Sequence, residues 1–166
     1  MDRFSILVGD LTASDAEAIV NAANPTLLGG SGVDGAIHRA AGPQLLAECR
    51  TLHGCETGQA KLTAAYRLPC KYVIHTPGPI WRGGGCGEAA LLASCYRSCL
   101  KLASEHELQS VAFCCISTGE FHFPNQEAAR IAVQTVKEFL QAPTTVRKVI
   151  FNVFKDIDAN IYDDLL

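Results

Sequence analysis

Asp34 is the one carboxylate in a glycine-rich stretch, Asn24-Pro-Thr-Leu-Leu-Gly-Gly-Ser-Gly-Val-Asp-Gly-Ala-Ile-His-Arg39, that follows an apolar run and opens onto helical periodicity. Gly29, Gly30, Gly32 and Gly35 let the backbone approach a ligand closely, and a helix start offers unpaired N–H groups and a positive dipole end to an anion. A second loop, Ile116-Ser-Thr-Gly-Glu-Phe-His-Phe-Pro124, also stands between an apolar run and a helical pattern. Taken alone it reads as a strand-to-helix turn with capping hydroxyls. Neither 29–35 nor 117–124 contains Lys or Arg, so a phosphate bound there must be held by backbone donors. Two such loops can clamp a diphosphate between them. An acid inside an anion-attracting loop then needs a reason of its own.

Other chemistries fit less well. Gly30-x-Gly32-x-x-Gly35 formally matches the dinucleotide fingerprint, but the gap from the preceding strand is long and the next segment is helical with Glu48, with no acid closing a second strand. A P-loop is excluded because no Gly-Lys-Ser/Thr follows. Among eight cysteines and five histidines, His53-x-Cys55 and the Cys95/Cys99 pair are the only close groupings, and neither supplies four ligands at finger-like spacing. A Cys–His nucleophile stays open, although neither loop holds a thiol. Cys114 and Cys115 are adjacent on an apolar run and Cys95 and Cys99 share a helix face, so the cysteines read as small core residues rather than a disulfide framework.

The elements that position the loops follow from periodicity. Residues 3–8 alternate and end at Gly9-Asp10, a first strand and turn. Residues 18–23 form a short apolar run ended by Asn24-Pro25, so the glycine loop begins at a strand's C-terminal edge. The spacing predicts helices over 33–41 and 43–52, broken at Gly42-Pro43, with Leu45, Leu46 and Cys49 on one side of the second. Strands are expected at 58–65, 71–76, 110–116 and 146–154, and helices at 88–105, 126–141 and 158–166. Leu91, Leu92, Cys95, Cys99, Leu102 and Ala103 mark the apolar stripe of the first of these helices. Strands alternate with helices and the interior strands are apolar on both faces. The reading is one α/β domain over 1–166, with helices on both sides of a mixed, mainly parallel sheet. Ligands in such sheets sit outside the strands' carboxyl ends. Gly9-Asp10, Asn24, Ser117-Thr118-Gly119 and Phe154 are the ends that matter.

A chain of 166 residues buries enough surface, roughly 70%, to fold without staples. No apolar run approaches the ~18 residues of a membrane span and the start of the chain has no apolar signal core, so a soluble, cytoplasmic protein with no membrane partner is expected. Net charge is −3 and the fourteen Lys and Arg residues are scattered, which speaks against a nucleic-acid partner.

Six motifs in order, Gly9-Asp-Leu-Thr12, Ile19-Val-Asn-Ala-Ala-Asn24, Leu28-Gly-Gly-Ser-Gly-Val-Asp-Gly-Ala-Ile-His38, Thr57-Gly-Gln-Ala-Lys61, Tyr72-Val-Ile-His-Thr-Pro-Gly-Pro79 and Ile116-Ser-Thr-Gly119, resemble those of the macrodomain, a module that binds ADP-ribose. The resemblance covers essentially the whole chain and implies a three-layer α/β/α fold with about six strands. It implies that Asp10 hydrogen-bonds the adenine amino group with Leu11 supplying a backbone donor beside it, and that Phe154 lies against the adenine ring. Asn24 would hold the distal ribose, where an amide both donates and accepts without adding charge. Gly29, Gly30, Ser31, Gly32 and Val33 would wrap the diphosphate with Ser117, Thr118, Gly119, Glu120 and Phe121, and Phe121 would lie near the distal ribose.

The Gly-Ser-Gly-Val-Asp-Gly-Ala-Ile-His segment is similar to the hydrolytic class, which removes mono-ADP-ribose from protein acids and deacetylates O-acetyl-ADP-ribose. By that similarity Asp34 is the catalytic carboxylate, acting on water or on charge at the ribose, and Asn24 positions the sugar. The implied partners are ADP-ribose with an ADP-ribosylated protein or O-acetyl-ADP-ribose; a reader that binds and hydrolyses nothing is the alternative. The second half resembles the zinc-dependent microbial macrodomains, but the first loop lacks their Cys/His ligands, so no metal or other cofactor is carried over. Glu120 and His122 are either a second acid/base pair, with Glu120 catalytic, or a loop carboxylate and a solvent-facing histidine.

Overall fold

In the computed structural model the described residues are 3–119 and 121–166. Six strands, β1 (Phe4–Val8), β2 (Ala18–Ala23), β3 (Lys61–Ala64), β4 (Tyr72–Pro77), β5 (Ser110–Phe113) and β6 (Lys148–Val153), form one sheet in the order β1-β6-β5-β2-β4-β3. All neighbours pair parallel except β3 with β4. The helices are α1 (Gly32–Ala41), α2 (Pro43–Thr51), α3 (Glu88–Glu105), α4 (Asn125–Leu140) and α5 (Asp156–Leu165).

Side-chain alternation sorts the helices onto two faces. Phe113 and Phe151, paired across β5 and β6, pack on Tyr96 of α3 and Tyr162 of α5 respectively. Asn21 of β2 reaches Asp34 of α1, and His75 of β4 lies against Cys49 of α2, on the opposite face. The result is a three-layer α/β/α sandwich. Its central strands are apolar because both faces are covered. Ile19, Val20, Val73, Ile74, Val111 and Ala112 are fully buried, and each large aliphatic among them contributes about 1.5–3 kcal/mol by leaving water.

Gly42 both ends α1 and begins α2, at φ +91°, with Pro43 in the first turn of the new helix. That conformation favours glycine, and proline lacks only an N–H that the first turn leaves unpaired. The chain therefore turns sharply, and α1 and α2 pack on the same face.

Where the elements differ from the periodicity, the backbone shows why. The expected strand at 110–116 stops at Phe113, since Ser117 turns back at φ +67° and its carbonyl accepts from Phe123 N. The run at 58–65 pairs only from Lys61, because Gly58 sits at φ +88° in a turn whose N–H donates to Pro77. A short 3-10 turn, Leu11–Ala13, has no counterpart in the sequence reading. Asp10 caps it by accepting from Thr12 N and Thr12 Oγ1. No helix among the described residues is long and apolar enough to cross a membrane.

Candidate functional site

The C-terminal ends of β2, β5 and β6, together with the 3-10 turn after β1, open into one cavity of about 280 Å³. This is where a parallel sheet places ligands, because strand ends and helix starts meet there. One wall is the loop before α1 and the first turn of that helix, through Asn24, Ser31, Gly32, Val33 and Asp34. The opposite wall is the loop after β5, through Ser117, Thr118, Gly119 and Phe121.

Asn24 ends β2, and its amide Nδ2 donates to Gly29 O at 3.0 Å, which folds the glycine loop back over the strand end. Gly30 then lies between two polar side chains of the cavity wall. A Cβ there would stand 2.7 Å from Asn24 Nδ2 and 3.0 Å from Asp34 Oδ2. Asn24 and Asp34 are therefore near neighbours on the cavity wall, brought together by a residue without a side chain.

Asp34 sits in the first turn of α1 and is only 4% exposed. Its Oδ1 accepts from Asn21 Nδ2 at 2.9 Å, and His38, one turn further along α1, brings Nε2 to 3.4 Å from the same oxygen. Asn21 Nδ2 is also 3.1 Å from His75 Nδ1, and His75 Nε2 is 2.9 Å from Thr63 Oγ1. His75 is wholly buried, and that burial pushes its pKa down to about 4 despite the opposing pull of Asp34. A neutral imidazole thus stands behind a buried carboxylate.

The second loop is held in a less favourable conformation. Ser117 at φ +67° and His122 at φ +60° are left-handed without being glycine, and such residues persist only where surroundings dictate them. Phe123 N donates to Ser117 O, His122 N to Gly119 O, and Trp81 N to Phe121 O. The Trp81 ring packs on Phe123 with centroids 4.7 Å apart. Glu88 braces the neighbouring glycine segment: its carboxylate accepts from the N–H groups of Arg82, Gly84 and Cys86, which hold its pKa down to about 2. Ser117 Oγ is buried without a hydrogen-bond partner among the described residues.

At the far end of the cavity, Leu11, Asn152, Phe154, Lys155 and Asp158 converge. Phe154 is 69% exposed immediately after β6, an aromatic face available for stacking. Asn152 Nδ2 donates to Gly9 O, while its Oδ1 is buried without a partner among the described residues. Asp158 accepts from Asn125. Cys114 and Cys115 complete the floor, with burial raising both thiols to about 12, so neither is a ready nucleophile.

Of the residues singled out from sequence, Leu11, Asn24, Ser31, Gly32, Val33, Asp34, Ser117, Thr118, Gly119, Phe121 and Phe154 line this one cavity. Three lie off its wall. Asp10 caps the 3-10 turn, and its bonds from Thr12 hold its pKa low; Gly29 supplies the carbonyl for Asn24; Gly30 spaces Asn24 from Asp34. Glu120 lies outside the described residues. No cluster of three or more His, Cys, Asp or Glu side chains among the described residues is disposed to hold a metal.

The sequence reading missed Asn21, His75, Asn152 and the Asn125–Asp158 pair. Asn21 carried a signal: it is the one polar side chain in the apolar run of β2, and in β4 His75 and Thr76 interrupt the apolar run. Their register partnership, Asn21 opposite His75, needed the strand order.

Comparison with known proteins places these features in a family context. The family model described as Macro domain matches residues 20–132. A Macro domain-containing protein of Methanosarcina mazei is 59% identical over 155 residues, which span 92% of this chain and 83% of that protein. ADP-ribose glycohydrolase MACROD2 of Homo sapiens is 56% identical over 163 residues, 97% of this chain but 38% of that protein's length. The Trypanosoma brucei macrodomain in complex with ADP-ribose aligns with a TM-score of 0.92 at 42% identity, covering 98% of this chain and 68% of that one.

Proposed function

Because this chain belongs to the Macro domain family, we propose that it is an ADP-ribosyl hydrolase, removing mono-ADP-ribose from modified proteins, deacetylating O-acetyl-ADP-ribose, or both. The observation that carries this reading is Asp34: a carboxylate 4% exposed, pinned by Asn21 and set beside Asn24 on the wall of the cavity. A module that only binds a diphosphate gains nothing from a fixed negative charge there. An enzyme that must order water and stabilise a cationic sugar does.

In this mechanism the backbone N–H groups of the two loops hold the diphosphate, and Phe154 stacks on adenine. The Asn24 amide grips the distal ribose hydroxyls and so fixes the anomeric carbon near Asp34. Asp34 orients a water whose oxygen bonds to the anomeric carbon, or to the acetyl carbonyl carbon, as the C–O bond to the leaving group breaks. An ester-linked protein acid departs as a carboxylate and the proton released by the water passes to it or to solvent; in deacetylation the ribose oxygen departs, takes one of the water's protons and is left as a hydroxyl, while the acetyl group leaves as acetate with the other proton going to solvent.

The test is a panel of ADP-ribose conjugates joined through Asp/Glu ester, Ser, Arg and O-acetyl linkages, with released ADP-ribose or acetate quantified. Release from the ester-linked protein or the O-acetyl compound is expected. Tight ADP-ribose binding with no release from any member of the panel would leave only a reader.

A further inference from the structure

β2 and β4 are parallel neighbours with Asn21 directly opposite His75, and both side chains are 0% exposed. The Asn21 amide has one allowed orientation. The atom 2.9 Å from the Asp34 carboxylate must be the nitrogen, since an oxygen would set acceptor against acceptor. Its second N–H then points at His75 Nδ1, 3.1 Å away, and that ring nitrogen must accept. The imidazole proton is therefore on Nε2, where it donates to Thr63 Oγ1 at 2.9 Å. Cys49 Sγ, 3.9 Å from Nε2, and His38, beyond Asp34, are the other titratable neighbours. A protonated ring would turn N–H against N–H and break the chain.

We propose that His75 is a positioning residue that, in its neutral Nε2–H form fixed by Thr63, orients the Asn21 amide and through it the Asp34 carboxylate. His75 does not line the cavity, and the Asn21 amide stands between its ring and the Asp34 carboxylate. Its effect is to remove rotational freedom from a side chain whose chemistry depends on aim. Partners of this kind, one shell behind the reacting group, change rates by about 10–100-fold when lost. The proposal rests on the reading of Asp34 as the reacting carboxylate.

The variants separate aim from folding. In His75→Asn the amide oxygen takes the place of Nδ1 and can still accept from Asn21; in His75→Phe nothing can. His75→Phe is expected to lower kcat about 10–100-fold with KM and ADP-ribose affinity within about 2-fold, and His75→Asn to restore most of that loss. If His75→Phe does not fold, Thr63→Val serves instead, because it frees the ring to adopt the wrong tautomer and should lower kcat in the same selective way. Nitrogen-15 NMR of the wild-type imidazole should show a neutral Nε2–H tautomer at pH 6. Wild-type kcat in folded His75→Phe, equal losses in His75→Asn and His75→Phe, or an Nδ1–H or charged ring in the wild type would overturn the proposal. Absence of turnover in the wild type would instead defeat the hydrolase reading, and the tautomer would still decide whether the relay exists.

Discussion

A Cβ on Gly30 would stand 2.7 Å from the Asn24 amide nitrogen, closer than carbon and nitrogen approach without displacement. Asn24 cannot yield freely, because the same nitrogen donates to Gly29 O. Gly30→Ala should therefore cost about 1–3 kcal/mol at most in stability while pushing the Asn24 amide and Asp34 apart. Steady-state kinetics should show kcat/KM reduced at least about 10-fold, by loss of positioning. Wild-type kinetics in this variant would mean that the juxtaposition of Asn24 and Asp34 has no functional weight.

Phe154 is 69% exposed, so its removal leaves the core untouched. Stacking of a base on an aromatic ring is worth about 1–3 kcal/mol. Phe154→Ala should weaken ADP-ribose binding about 5- to 100-fold in calorimetry, with the thermal midpoint unchanged. Equal affinity would place the adenine elsewhere.

His75 and Glu88 make acid stability fall in two separate windows. The folded protein holds His75 at about 4 against an ordinary 6.5, so between those values the unfolded chain binds the proton and the folded one does not. Stability is full above 6.5 and is lost as pH falls, by roughly 2 kcal/mol on reaching pH 5. Glu88, lowered from 4.5 to about 2 by backbone donors, adds a contribution present above 4.5 that disappears as pH falls toward 2. Urea midpoints measured from pH 7 to 5 should drop in the wild type and stay nearly level in His75→Asn. A flat wild-type profile would contradict a neutral buried ring.

Much of the fold was legible because its signals are local. Asn24-Pro25 ends a strand, Gly42-Pro43 separates two helices, and the helix expected over 88–105 from the stripe between Leu91 and Ala103 coincides with α3. The loops of the site were legible for the same reason, since glycines and a lone acid stand out against an apolar background. The support behind them was not. Whether Asn21 faces Asp34 depends on which strand lies beside β2, and whether Ser117 adopts φ +67° depends on Phe123 and Gly78 packing against it. Such contacts join residues far apart in the chain, and periodicity carries no record of them.

The most direct measurement compares wild type with Asp34→Ala for ADP-ribose affinity and for release of ADP-ribose from a mono-ADP-ribosylated protein. On the proposed reading Asp34 places a carboxylate beside the bound diphosphate, so the variant should bind ADP-ribose as well as or better than the wild type. Its release rate should fall by at least about 100-fold, the lower end of what a positioned acid or base supplies. Release by Asp34→Ala at the wild-type rate, or tight binding by a wild type that releases nothing, would contradict the account.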